Sequence, residues 1–124
     1  MTCTIVARKL QLIMASSRAL KIYETDSGKR PFNEWLDDLK DPMTRARVRA
    51  RLDRVATGNF GDAKSVGDGV FELRFTVGAG IRVYYGLDGD TLVVLLLGGD
   101  KSSQDKDIVR AKQFWVDYKG AKND

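Results

Sequence analysis

Histidine is absent from the 124 residues of this chain, and cysteine occurs once, as Cys3. Those absences exclude zinc sites built on His and Cys, disulfide frameworks, Ser-His-Asp triads and Cys-His dyads. Any catalysis must therefore use Arg, Lys, Tyr, Asp, Glu or hydroxyl groups, and no metal or cofactor is expected. Proline is scarce too: only Pro31 and Pro42 occur, and both stand where a helix can begin. No apolar run approaches the ~18 residues of a membrane span, so no membrane partner is expected. Arg8 and Lys9 precede Leu10, Leu12, Ile13 and Met14, but Gln11 interrupts the run, which is too short for a secretory signal. A cytoplasmic protein is expected. Residues 1–13 read as a leader before an alternative start at Met14, and residues 14–124 as one domain.

What is present describes an ordinary globular chain. Apolar residues make up 43% and charged residues 31%, which separates it from disordered sequences. Lys and Arg number 21 against 17 acidic residues, a net charge of +4 that hints at an anionic partner. Without Arg8 and Lys9 the basic count falls to 19, so the excess that matters is local.

Ala19 to Glu24 alternates as a first strand. Pro31 opens a helix whose apolar residues Phe32, Trp35, Leu36 and Leu39 recur at i, i+3, i+4 and i+7. Asp41-Pro42 supplies an N-cap and first turn for a second helix, running to about Thr57, with Val48, Leu52, Val55 and Ala56 on its stripe. Residues 59–69 read as loop. The period then changes from 3.6 to 2: Phe71, Leu73, Phe75 and Val77 alternate with Glu72, Arg74 and Thr76. A Gly78-Ala79-Gly80 turn follows, then Ile81, Val83 and Tyr85 against Arg82 and Tyr84, predicting a hairpin with Val77 opposite Ile81. Leu92 to Leu97 are consecutive aliphatics, as in a central strand covered on both faces. Ser102, with Asp105 three residues on, resembles a capping box before a last helix carrying Ile108, Ala111, Trp115 and Tyr118. The order β-α-α-β-β-β-α predicts an α+β domain with a mainly antiparallel four-stranded sheet, an N-terminal helical hairpin and a C-terminal helix.

That topology brings Arg74, Arg82 and Lys101 toward one end of the sheet, with Arg74 opposite Tyr84. Arginine suits bidentate phosphate binding, and Tyr84 offers a stacking surface or a hydroxyl; a solvated sheet face explains the same residues equally well. Arg45, Arg47, Arg49, Arg51 and Arg54 line the second helix, either as its solvated face or as a surface for RNA phosphates or an acidic partner. Gly98-Gly99-Asp100-Lys101-Ser102 is not a Walker-type loop, because Asp100 separates glycine from lysine. It remains a glycine-rich turn into a helix N-terminus. Gln104 and Asp107 lie near the same mouth, where helix-start preference also accounts for them.

Three segments carry a family resemblance: Val66-Gly67-Asp68-Gly69-Val70-Phe71-Glu72-Leu73-Arg74, Gly78-Ala79-Gly80-Ile81-Arg82-Val83-Tyr84-Tyr85, and Leu97-Gly98-Gly99-Asp100-Lys101-Ser102-Ser103-Gln104. Together they resemble the RelE/ParE toxin superfamily, and within it the phage-derived HigB-like addiction module killer proteins. The resemblance runs from about Lys21 to Tyr118. It implies the toxin of a type II toxin–antitoxin system, with a helix-turn-helix or ribbon-type antitoxin as partner and a hetero-oligomer with it. RelE-like members are mRNA interferases that cleave mRNA on the ribosome by metal-independent attack of a 2′-OH on the adjacent phosphate, whereas ParE-like members poison DNA gyrase. By this resemblance Arg82 matches the strand arginine on the scissile phosphate, Lys101 the second catalytic cation, and Arg74 a basic residue of the preceding strand. Tyr84, Gln104 and Asp107 are expected to assist in positioning or proton transfer. Two departures stand out. Val70 and Glu72 replace the lysines of RelE-like toxins, and Asp107 replaces a tyrosine of the last helix. A non-enzymatic gyrase binder, or a degenerate toxin that only binds its antitoxin, is the alternative expectation.

Overall fold

The computed structural model describes residues 17–123; the leader and the alternative start at Met14 lie outside them. The chain runs β1 (Ala19–Ile22), α1 (Pro31–Asp38), α2 (Pro42–Ala56), β2 (Ala63–Gly67), β3 (Val70–Arg74), β4 (Arg82–Asp88), β5 (Leu92–Gly99), a 3-10 turn (Lys101–Ser103) and α3 (Gln104–Asn123). The strands form one five-stranded sheet in the order β1-β5-β4-β3-β2. The β1–β5 pair is parallel and the other neighbours are antiparallel. The α+β class stands, but the expected four-stranded sheet does not: residues 63–67, read as loop, form an edge strand. Ala63, Lys64, Ser65, Val66 and Gly67 carry little apolar signal because β2 is the outermost strand among the described residues and most of its side chains face solvent.

Helices cover both faces of the sheet. On one face α1 and α2 bury Phe32, Leu36, Val48, Leu52 and Val55 against Leu73, Val83, Val93 and Leu95. On the other, α3 lays Ala111, Trp115 and Tyr118 over Val70, Tyr84, Val94 and Leu96. Each such side chain removed from water contributes roughly 1.5–3 kcal/mol before entropy is charged against it. Pro31 and Asp41-Pro42 start their helices as expected, and the Asp41 carboxylate accepts the Met43 N–H at 3.1 Å. The final helix starts differently. Asp100, not Ser102, caps the 3-10 turn, accepting the Ser102 N–H at 2.9 Å.

Two register features position the site. The β3–β4 hairpin pairs Arg74 with Arg82 and Glu72 with Tyr84, two residues away from the expected pairing, because its turn spans more than Gly78-Ala79-Gly80. A shift of two preserves which face each side chain takes. In β5, Tyr84 pairs with Leu97 but Tyr85 pairs with Leu95, so Leu96 is an extra residue in a bulge. Leu96 and Leu97 both enter the core beneath α3. The alternation is thereby reversed: Gly98 meets the Trp35 ring on the α1 side, and Gly99 meets Asp107 on the α3 side.

Candidate functional site

The site is built where β3, β4 and the end of β5 meet the first turn of α3. Arg82 is the cross-strand partner of both Arg74 and Gly99, which places it at the centre of this end of the sheet. Its side chain is 13% exposed, and its Nε lies 3.7 Å from Glu72 Oε2, an ion pair longer than a hydrogen bond. One terminal nitrogen of Arg82 donates to the Gly80 carbonyl at 3.1 Å. Glu72 is 0% exposed, and its Oε2 also accepts from the Gln104 amide at 2.9 Å. One carboxylate thus links three elements.

Behind this pair lie Tyr84 and Asp107. Tyr84 is 0% exposed, so the stacking surface expected of it is not presented. Burial first, then the charges of Glu72 and Asp107, pushes its phenol well above the ordinary value of 10.0. The Tyr84 hydroxyl and Glu72 Oε1 are both buried without a hydrogen-bond partner among the described residues. Asp107 is 6% exposed and accepts the Ser103 hydroxyl at 2.5 Å. Its carboxylate fills the space a side chain at residue 99 would occupy: a Cβ there would meet Asp107 Oδ2 at 1.8 Å. Gly99 is therefore required by Asp107.

Lys101 is exposed at the rim, and its N–H donates to the Ala79 carbonyl at 3.3 Å, tying the β5–α3 turn to the hairpin tip. Arg74 shares the sheet end, but its guanidinium turns to Asp62, with Nη2 to Oδ1 at 3.0 Å. Arg82 and Lys101 both border Gly80, Arg74 is paired with Asp62, and Glu72 and Asp107 lie buried beneath. The sequence marked Glu72 only as a replacement for a lysine of RelE-like toxins, not as a site residue. Glu72 alternates onto the same face as Arg74, which read equally well as a solvated face or as a basic site, and in the fold that position is buried against α3.

The arginines of α2 stand on the opposite face of the sheet. Arg51 is engaged in holding backbone, donating to the carbonyls of Phe60, Asp62 and Arg74 at 2.8–3.1 Å, with its guanidinium 4.9 Å from the Phe75 ring. Arg45 donates to the Leu39 carbonyl at the end of α1. Arg47 and Arg49 are exposed. Among the described residues no cluster of Cys, Asp and Glu could hold a metal ion, and no helix is long and apolar enough to cross a membrane.

A small sheet wrapped by a helical pair and a C-terminal helix, with a cluster of charged residues at one sheet end, defines a class of compact α+β proteins. Residues 34–115, two thirds of the chain, match the family model "Phage derived protein Gp49-like (DUF891)", and the chain belongs to that family. The family is part of the RelE/ParE-like toxin superfamily and is associated with the toxins of toxin–antitoxin systems. The chain is also 54% identical over 81 residues to an uncharacterised protein of Haemophilus influenzae, an alignment covering 65% of this chain and 82% of that one.

Proposed function

We propose that this chain is the toxin of a type II toxin–antitoxin pair, of the HigB-like branch, and that it halts translation in the cytoplasm by cutting ribosome-bound mRNA. Its partners on this reading are a helix-turn-helix antitoxin, the ribosome and mRNA. The observation that carries it is Arg82, held by neighbouring groups at the sheet end beside the exposed Lys101. A new bond forms from the 2′-oxygen to phosphorus as its proton passes to water, while the bond from phosphorus to the 5′-oxygen breaks and that oxygen takes a proton from water, leaving a 2′,3′-cyclic phosphate and a 5′-hydroxyl. The phosphorane formed on the way gains negative charge, and fixed cations at its oxygens lower the barrier. Arg82 and Lys101 supply that charge; Arg74 contributes from the next strand, and Gln104 forms the inner wall. Asp107, 6% exposed and accepting the Ser103 hydroxyl, plays a part in proton transfer that is secondary to charge stabilisation. The exposed Arg47 and Arg49 meet ribosomal RNA phosphates on the far face, while Arg45, Arg51 and the buried Tyr84 hold the scaffold.

The test is expression of the wild-type chain and Arg82→Ala in parallel. The wild type is expected to arrest growth and produce in-frame cuts in translated transcripts. Arg82→Ala, folded to the same extent, should do neither. Full toxicity of Arg82→Ala would sink the site. A second reading, a toxin without nuclease activity that acts on gyrase or only engages its antitoxin, draws support from the three carboxylates beside the three cations. Growth arrest with intact transcripts and broken DNA would favour gyrase, and unhindered growth would favour the antitoxin binder.

A further inference from the structure

Glu72 is fully buried at this site and yet reaches residues of two other elements. Glu72 cannot touch a substrate, because it is 0% exposed; yet its Oε2 faces the Arg82 Nε at 3.7 Å and accepts from Gln104 at 2.9 Å. A buried carboxylate is costly to desolvate unless its partners hold it, and removing one member of such a pair strands the other. Arg82 is held by a hydrogen bond to the Gly80 carbonyl and by the charge of Glu72, the Nε that faces it being buried with no hydrogen-bond partner among the described residues, and only about an eighth of its side chain reaches the surface. A long side chain fixed in that way approaches a phosphate with one geometry and little rotamer entropy to lose.

We propose that Glu72 is the positioning residue of this site: from within the sheet it fixes the guanidinium of Arg82 and the amide of Gln104 at the angles needed by an RNA phosphate, without contacting the RNA. The proposal rests on the reading of Arg82 as the cation on the scissile phosphate. It implies opposite effects on binding and on rate. The Glu72 carboxylate withdraws positive potential from Arg82, so removing its charge leaves phosphate attraction equal or stronger. Removing it also frees Arg82 to move, so the cut slows.

Glu72→Gln keeps the shape and an acceptor for Gln104 while deleting the charge. With ribosomes programmed with a defined mRNA as the probe, it should bind at least as tightly as the wild type and cleave in a single turnover about 10–100-fold more slowly. Glu72→Asp, which keeps the charge but withdraws it from Arg82, should also slow the cut, and serves if the amide variant does not fold. Binding and cleavage falling together in Glu72→Gln would mark a merely structural carboxylate and overturn the proposal. So would wild-type cleavage by Glu72→Gln beside an inactive Arg82→Ala, a result that leaves the nuclease reading intact. Unimpaired cleavage by Arg82→Ala, or none by the wild type, would overturn both.

Discussion

Gly99 and Asp107 share one small volume, and no side chain fits at residue 99 without moving Asp107. A Cβ at Gly99 would sit 1.8 Å from Asp107 Oδ2, well inside contact distance. Gly99→Ala is therefore expected to expel the carboxylate and lower stability by about 1–3 kcal/mol, read by denaturant unfolding. A variant as stable as the wild type would show that Asp107 is not seated over Gly99. Ser103→Ala leaves Asp107 without its hydroxyl donor and should cost about 1–3 kcal/mol, the penalty for an unsatisfied buried acceptor. At this scale the sequence was informative about identity and poor about neighbours. Arg82, Lys101 and Asp107 were named from alternation, strand count and resemblance. Glu72 stood out only as a replaced family lysine, because nothing in a strand's own alternation says that a helix some thirty residues later will cover it.

Among the elements, α2 shows how one helix divides its arginines between structure and surface. Arg51 satisfies three carbonyls at the edge of β2 and the end of β3, a role that a row of five arginines at mixed spacing does not reveal. Arg51→Met should destabilise the fold by roughly 2–4 kcal/mol, since hydrogen bonds from a charged group are lost and the carbonyls are left to water. Arg47→Ala with Arg49→Ala should stay within about 0.5 kcal/mol of the wild type in stability while weakening ribosome binding in a salt-dependent way. Equal stability losses for both changes would remove the distinction. The helical starts at Pro31 and Asp41-Pro42, the β3–β4 hairpin and the doubly covered β5 were all legible, because each has a strong period or a capping residue. β2 was not, since an edge strand of Ala, Lys, Ser, Val and Gly is stabilised by the strand beside it. Nor was the β5 bulge: six aliphatics in a row look the same from both faces, so the residue at which alternation reverses leaves no mark.

Taken whole, the molecule is a polar sheet end mounted on an apolar double core, and its tyrosines report on that core. Burial raises Tyr84, and it pushes Tyr85 and Tyr118 up to about 12; the Asp88 carboxylate at 2.7 Å from the Tyr118 hydroxyl adds to the last. The folded state keeps these phenols protonated where the unfolded chain, titrating near the ordinary 10.0, has begun to lose its protons. Above that pH the folded protein binds more protons than the unfolded one, so stability falls as pH rises. Denaturant unfolding from pH 9 upward should show a falling midpoint, with phenolate absorbance appearing together with the loss of secondary structure. Phenolate formation well before unfolding would contradict the burial of these rings.

The net charge of +4 is the weakest guide at this scale. The sheet end gathers as many carboxylates as cations, so its chemistry depends on which charges are held rigidly and which are free to meet a phosphate. The most direct test of the account is an end-group measurement: purified full-length chain is incubated with ribosomes carrying a defined mRNA, and the fragments are mapped and their termini identified. The account predicts a cut within the ribosome-bound codon that leaves a 2′,3′-cyclic phosphate and a 5′-hydroxyl, and no cut with Arg82→Ala. An mRNA left intact by the wild-type chain under conditions in which it arrests growth would contradict it.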